Sequence, residues 1–544
     1  MSDSNSASQI DALIAGAGPV GLTMAAEAAR NGLRCRIIDK APAPTDKSKA
    51  LVLWSRSLEM LAAMGDARPF LAAGTQAHGA SMYSDGRRIA RIHFQIESPY
   101  NFALMIPQSE TERLLAEHLA TFGLRVEREI ELTGFAQQAD GVTCSLRNSA
   151  GNIEQVRTKW LLGCDGAHST VRHALGVEFS GDAEPNDWML ADMQVTGPLP
   201  DDELSIYFHQ SGLVAFFPIV GKRFRMIADL GVAQPGAAPA TPTLADVQRI
   251  LDERGPGGLT ASDPVWLSGF RIHERKVANY RAGRVFLAGD AAHIHSPAGG
   301  QGMNTGMQDA FNLAWKLGLV HHGRAGDALL DSYSVERSAV GDLVLRNAGA
   351  MTRVATLRNP IAQKARDTAY RLFSSWRIVQ HGLSDTLSEL SINYRHSPLS
   401  DQHRGVSAHG WLLGGGVPSG DRAPDGALTV AATGEATTLF ETFRGTRHQL
   451  LLFTGVEPTA SVTQQLTEIS AAVDSRFPDL VASHTIGPAA TSGVTLIDAD
   501  LSVHRRYAAA APTLYLIRPD GYVTYRSQPA EASGLLVHLG KYLQ

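Results

Sequence analysis

The sequence predicts an α/β protein: an open, mostly parallel sheet, interrupted by a sheet-rich region and followed by a second α/β domain. Three observations predict this class. Short apolar runs end in glycine-rich or acid-glycine turns at three distant places, residues 10–21, 160–172 and 285–306. Each run leads into a helix start, the order expected of a parallel sheet whose ligand lies at the carboxyl ends of its strands. Between the second and third places, residues 203–209 alternate with the period of two that marks half-buried strands, and residues 213–228 read as a hairpin turning at Gly221-Lys222.

Taken in order, Ile10 to Ala15 reads as a buried strand, and Gly16-Ala-Gly18-Pro19-Val20-Gly21 follows it and opens an Ala-rich helix. A second strand ends at Ile37-Ile38-Asp39. This is the full Rossmann dinucleotide fingerprint: Gly16 permits the tight turn, Gly18 admits a pyrophosphate, Gly21 allows close helix–strand packing, and Asp39 accepts from ribose hydroxyls. The next run, Trp160-Leu-Leu-Gly-Cys-Asp165-Gly166, ends in an acid, with Ser169 placed to cap a helix. The third run, residues 285–288, ends at Gly289-Asp290, where Asp290 is set to accept from hydroxyls. After Pro297, glycines at 299, 300, 302 and 306 let the backbone approach a ligand, and the helix that follows offers unpaired N–H groups. No Lys or Arg occurs between Arg284 and Lys316, so the helix dipole is the source of positive potential there.

Three such motifs in this order resemble the flavin-dependent aromatic hydroxylases, single-component FAD monooxygenases related to para-hydroxybenzoate hydroxylase, over about residues 10–350. The resemblance implies a Rossmann-like FAD-binding domain with an inserted β-sheet substrate domain. It puts Gly16, Gly18, Pro19, Val20 and Gly21 at the pyrophosphate, Asp39 at the adenosine ribose and Asp290 at the ribityl chain. Pro297, Gly300, Gly302, Met303 and Asn304 would approach the flavin ring. Gln108, Lys40, Lys49 and Asp165 would complete the FAD site, and Arg172 would contact the nicotinamide, with a helix-surface salt bridge as the competing reading. Asp39 stands where Glu is commoner, and Lys49 where relatives carry Arg, a point charge in place of a planar fork. The implied reaction is hydroxylation of a phenolic or polycyclic aromatic substrate: NADH or NADPH reduces FAD, O2 adds to give a C4a-hydroperoxide, and the aromatic ring attacks the distal oxygen. The chemistry is the cofactor's, and the protein adds position and a dry cavity. Two alternatives stay open, a Baeyer–Villiger or epoxidising oxygenation of a polyketide, and a flavin-binding sensor without oxygenase turnover.

For the substrate cavity the candidates are Tyr207, Phe217 and Arg225 from the alternating segment and the hairpin, with Trp54 bordering the flavin ring and His209 as a proton acceptor. Packing or solvent-facing roles are the competing reading for each. His293 and His295 lack the Cys or carboxylate partners of a metal site and read as groups that fix the turn by hydrogen bonds, so no metal is expected. No second glycine fingerprint occurs, which implies transient docking of the nicotinamide.

Residues from about 395 to 425, including Gly414-Gly-Gly-Val-Pro-Ser-Gly-Asp-Arg-Ala-Pro-Asp-Gly, read as loop. Strands and a helix then lead to Arg518-Pro-Asp-Gly521 and a closing hairpin. These signatures resemble the thioredoxin-like C-terminal domain of phenol hydroxylase and of polyketide hydroxylases. With no Cys beyond Cys164 this domain cannot do dithiol chemistry, so packing or a homodimer contact is its expected role. The expected domains are 1–175 and 276–395 for FAD, 176–275 for substrate and 396–544 for the tail. A chain cut near residue 395 is expected to keep its flavin. The formal net charge of -5 argues against nucleic acid. No apolar run approaches a membrane span, the polar residues 1–8 lack a signal peptide's positive region, and three unpaired cysteines offer no disulfide framework. A cytoplasmic enzyme without nucleic-acid or membrane partners is expected.

Overall fold

The computed structural model describes residues 10–234, 236–374, 376–404 and 415–544; the polar start at 1–8 and Gly414 lie outside the described residues. The predicted apolar runs form one sheet in the order Arg281–Ala282, Val285–Leu287, Ile153–Gly163, Ile10–Ala15, Cys35–Asp39, Glu127–Arg128. From Val285–Leu287 to Glu127–Arg128 the neighbours run parallel. Helices on both faces bury parallel strands, so their sequences are continuously apolar rather than alternating. Register decides the site: Ala15 pairs with Gly163 and Gly163 with Leu287, so the turns after residues 15, 163 and 287 emerge side by side. Helices Pro19–Arg30 and Gly302–His321 pack together over this sheet.

The second sheet runs His293–Ile294, Thr260–Lys276, Ser180–Thr196, Arg223–Val232, Gly212–Ile219, Leu204–His209, Gly79–Ser84, Arg87–His93. Its last two strands come from the first segment of the chain, so sheet membership crosses the expected division at residue 175. The hairpin read at residues 213–228 is present, turning at Gly221 and Lys222, both at positive φ. Because side chains alternate across a strand, Phe217 and its partner Arg225 share the front face with Ile227. Tyr207, Phe216 and Met226 share the back, packed with Val247 and Ile250 of helix Leu244–Arg254. Helices Asp331–Ala355, Pro360–Phe373 and Arg377–Leu387 lie over the front, with Met351, Tyr370 and Leu383 packed into its apolar cluster.

The tail is thioredoxin-like. His448–Phe453 connects through helix Ala460–Arg476 to parallel Val481–Gly487, while Thr513–Ile517 and Val523–Gln528 form the closing hairpin before helix Ala532–Leu539. Its two signatures are docking elements. Arg518 is bidentate on Glu336 and also pairs with Asp520; Lys316 of the long glycine-led helix reaches Glu336 at 2.7 Å. Arg422 donates to Glu59 and to the carbonyl of Glu97. Buried ions need such mutual pairing, because an uncompensated charge there costs several kcal/mol, about 3–5 when one partner is removed.

Candidate active site

Two joined cavities of about 530 and 260 Å³ open where the three parallel-strand turns emerge, and they share Gly18, Lys40, Asp165, Gly166 and His168. The smaller adds Gly16 and Asp39. The larger adds Pro19, Val20, Lys49, Gln108, Asp290, Pro297, Gly300, Gly302 and Met303 on one side, with Phe217, Arg225 and Ile227 from the front of the second sheet opposite.

The glycines divide their work as a dinucleotide cradle requires. Gly16 sits at φ +96°, and a Cβ there would lie 2.4 Å from the Cys164 carbonyl; at Gly21 it would lie 1.9 Å from the Gly16 carbonyl. Both are closed by backbone. At Gly18 the nearest atom would be 4.0 Å away, so this is the glycine open to a ligand. Asp39 holds the turn from beneath, accepting from Ala17 N at 2.7 Å and Ala41 N at 2.8 Å, one bond on each oxygen, with lone pairs left for hydroxyls. Asp165 accepts from Ser169 Oγ and Val171 N, and Ser169 caps the short helix after it.

Asp290 faces the larger cavity. Its side chain is open to that cavity, while the protein packed around it raises its pKa against the opposing pull of His293 and Lys49. A residue that sequence reasoning missed, Asp309, supports this turn: its Oδ2 accepts from Gly289 N at 3.0 Å and faces His293 Nε2 at 2.8 Å, while Arg337 donates to Oδ1 at 2.6 Å. Burial opposes its ionisation, and Arg337 with His293 override burial and hold its carboxyl below the usual range. His293 is thus a turn-fixing group, as its place in the motif suggested. Among the described residues no group of three or more His, Cys, Asp or Glu could hold a metal.

His295, on the cavity wall, is a different case. Its Nδ1 donates to the Ser296 carbonyl at 2.9 Å, which leaves Nε2 as an acceptor, and Nε2 is buried without a partner. Burial, with His293 nearby, pushes its pKa down to about 4, so the ring is neutral near pH 7. Glu389 was also missed. It accepts from Thr305 Oγ1 at 2.7 Å and from Gln308 Nε2 at 2.5 Å, and burial raises its pKa to about 7 against both bonds and Arg337. It clamps the first turns of the helix that starts at Gly302.

Several candidates prove to be supports. Asn304 is buried behind the cavity, accepting from Trp54 N and donating to the carbonyls of Val52 and Gly300. Trp54 is likewise packed, its Nε1 donating to the Gly299 carbonyl at 2.7 Å and its ring edge-on to Phe94. Tyr207 faces the back of the sheet, stacked on Tyr83 at 4.6 Å, because alternation turns it away from Phe217. His209 lies at that strand's far end beside Ser211 and Glu253 and lines neither cavity. Arg172 spends its guanidinium on the carbonyls of Ala291 and Ala167 and stacks on Phe179 at 3.9 Å, bracing two motifs together. Gln108 lines the cavity but uses its amide on Ala50 N and Glu112. Arg225 also lines it, yet it is bidentate on Asp192 and donates to the carbonyls of Ser48 and Lys49, so it pins the loop that carries Lys49.

An open glycine, hydroxyl acceptors at both ends, Lys40 where the cavities meet, Lys49 on the larger one and an unsatisfied acceptor on the wall fit a flavin dinucleotide. Fold and site together define an FAD-binding protein with a single dinucleotide fingerprint. Residues 9–348 match the FAD binding domain family and residues 418–543 the aromatic-ring hydroxylase C-terminal family. The chain belongs to the FAD-dependent aromatic-ring hydroxylases and is a monooxygenase. It is 35% identical to the 6-methylpretetramide 4-monooxygenase of Streptomyces rimosus, over 97% of this chain and 92% of that one. It is 31% identical to the pentachlorophenol 4-monooxygenase of Sphingobium chlorophenolicum, over 95% and 93%. The structure of OxyS anhydrotetracycline hydroxylase from Streptomyces rimosus superposes with a TM-score of 0.77 at 30% identity, covering 98% of this chain and 99% of that one.

Proposed function

We propose that this monooxygenase hydroxylates a phenolic or polycyclic aromatic compound, with NADH or NADPH as transient electron donor. The observation that carries the reading is the larger cavity, in which the apolar Phe217 and Ile227 face the segment from Asp290 to Met303. A flat apolar guest held by the sheet front would lie against a cofactor held by that segment. Relatives named for 6-methylpretetramide and for pentachlorophenol support an aromatic guest.

Bound FAD supplies the electron transfer and oxygen activation. In this reading Gly18 admits the pyrophosphate, Lys40 and Lys49 balance its charge, and Asp39 and Asp290 accept from hydroxyls of its two sugar-like ends. The helix starting at Gly302 stabilises negative charge at the ring edge through its dipole. His295 offers Nε2 as a neutral acceptor for a hydroxyl or N–H of cofactor or guest. Asp192 and Arg225 hold the Lys49 loop against the sheet and so keep Lys49 on the cavity wall.

The test is a screen of phenols, benzoates and polyketide aromatics scored by NADH and NADPH consumption, with the position of the new oxygen assigned in each product. Hydroxyl on an aromatic carbon is expected. Oxygen inserted beside a carbonyl or across an alkene would favour the Baeyer–Villiger or epoxidising alternative, and no coupled turnover would overturn the reading.

A further inference from the structure

The hairpin of helices Pro360–Phe373 and Arg377–Leu387 turns an apolar face outward. Ile361, Leu372, Phe373, Trp376, Ile378 and Val379 are all exposed, Ile361 by 81% and Ile378 by 85%. Among the described residues, these are six of the sixteen exposed large apolar side chains. Along the first helix Ile361, Ala365, Ala369 and Leu372 recur at helical spacing and all are exposed, while Arg366 points inward and stacks on Phe208 at 3.8 Å. The helix is therefore amphipathic in the sense opposite to that of an ordinary surface helix, which hides its apolar stripe.

Charge identifies what covers this face. The hairpin, residues 360–387, contains four Lys or Arg and two acids, Asp367 and Asp385, in a chain whose formal net charge is -5. Asp367 is already occupied by Ser84 and Arg366. Lys364 and Arg371 are exposed on the same helix and flank the apolar stripe. A second copy docked about a two-fold axis would bring this basic flank against itself, because an isologous contact pairs like with like. An anionic surface suits both features.

We propose that the hairpin docks the enzyme on an anionic phospholipid surface, with its apolar side chains at the headgroup–acyl boundary and its basic side chains at the phosphates. The contact is peripheral, since no described helix is long and apolar enough to cross a membrane. The lack of a long apolar run pointed away from membranes because it records contiguous apolar residues and not their gathering on one helix face. The docked hairpin ends at the cavity rim. Gln301 donates to the Thr386 carbonyl at 2.7 Å, and Leu387 packs beside Gly299. An apolar guest dissolved in lipid is thus presented near the site.

Holoenzyme is sedimented with vesicles of phosphatidylcholine alone or mixed with phosphatidylglycerol. Binding to the mixed vesicles only, weakened by salt, is expected. Lys364→Gln and Arg371→Gln should each weaken it about fivefold, and Trp376→Ser with Ile378→Ser about tenfold or more. Flavin absorbance should stay unchanged in every variant, since none of these residues lines the cavity. Absence of binding to mixed vesicles at low salt would overturn the proposal. So would a dimeric wild type that the Trp376/Ile378 variant converts to monomer, because the face would then belong to a second copy.

Discussion

Arg518 donates two hydrogen bonds, of 2.6 and 2.9 Å, to the carboxylate of Glu336, and both residues are closed to solvent. One belongs to the thioredoxin-like tail and the other to helix Asp331–Ala355, which follows the cofactor-facing helix. Glu336 also takes Lys316, and these two cations override the burial that opposes its ionisation and hold its carboxyl far below the ordinary range.

Removing the tail should therefore cost more than motif positions suggest. Arg518→Met would leave Asp520 and Glu336 sharing Lys316, and a loss of about 3–5 kcal/mol is expected in urea unfolding followed by flavin fluorescence. A chain ending near residue 395 should release FAD or aggregate, contrary to the expectation from motif order. A soluble truncation with a normal flavin spectrum would count against the tail as a support.

Asp290→Ala should weaken FAD binding about 10- to 100-fold, the loss of a charge-assisted acceptor of hydroxyls. Asp290→Asn, which keeps one acceptor oxygen, should fall between. Equilibrium titration of apoprotein with FAD measures both, and a variant purified yellow at full occupancy would remove Asp290 from the site.

Glu389 gives a pH signature. Its folded pKa of about 7 lies above the ordinary 4.5, so the folded state binds the proton more tightly and stability falls as pH rises from about 4.5 to 7, then levels. Glu389→Gln removes the titration. Stability of the variant relative to the wild type should rise by roughly 3 kcal/mol between pH 4 and pH 8. Parallel stability curves for the two proteins across that range would refute the assignment.

Arg225→Met should destabilise the fold by about 3 kcal/mol, because Asp192 is left buried without its partner. Pairing it with Asp192→Leu should restore stability but not function, since the carbonyls of Ser48 and Lys49 still lose their donor. A restored double variant with wild-type KM and FAD affinity would show that the loop needs no pin.

The cofactor motifs were legible in sequence because each is contiguous: strand, turn and helix start lie within about 20 residues, and glycine at Gly16 or Gly21 answers a local steric demand. The same locality made the hairpin turning at residues 221–222 readable. Alternation and the hairpin pattern announced strands between residues 203 and 228 but carried no sign of which face looks inward, so Phe217 and Tyr207 were indistinguishable until the helices on either side were in place.

Sequence alone determined the class of protein and the ends of the cofactor site, because those depend on backbone turns that a few neighbouring residues dictate. Tertiary structure decided which side chains hold rather than touch a ligand: Asn304, Trp54, Arg172 and Arg225 are spent on carbonyls, carboxylates or N–H groups far away in the chain. The reason is that a buried donor must find an acceptor wherever folding brings one, and that partner is set by packing across long sequence separations.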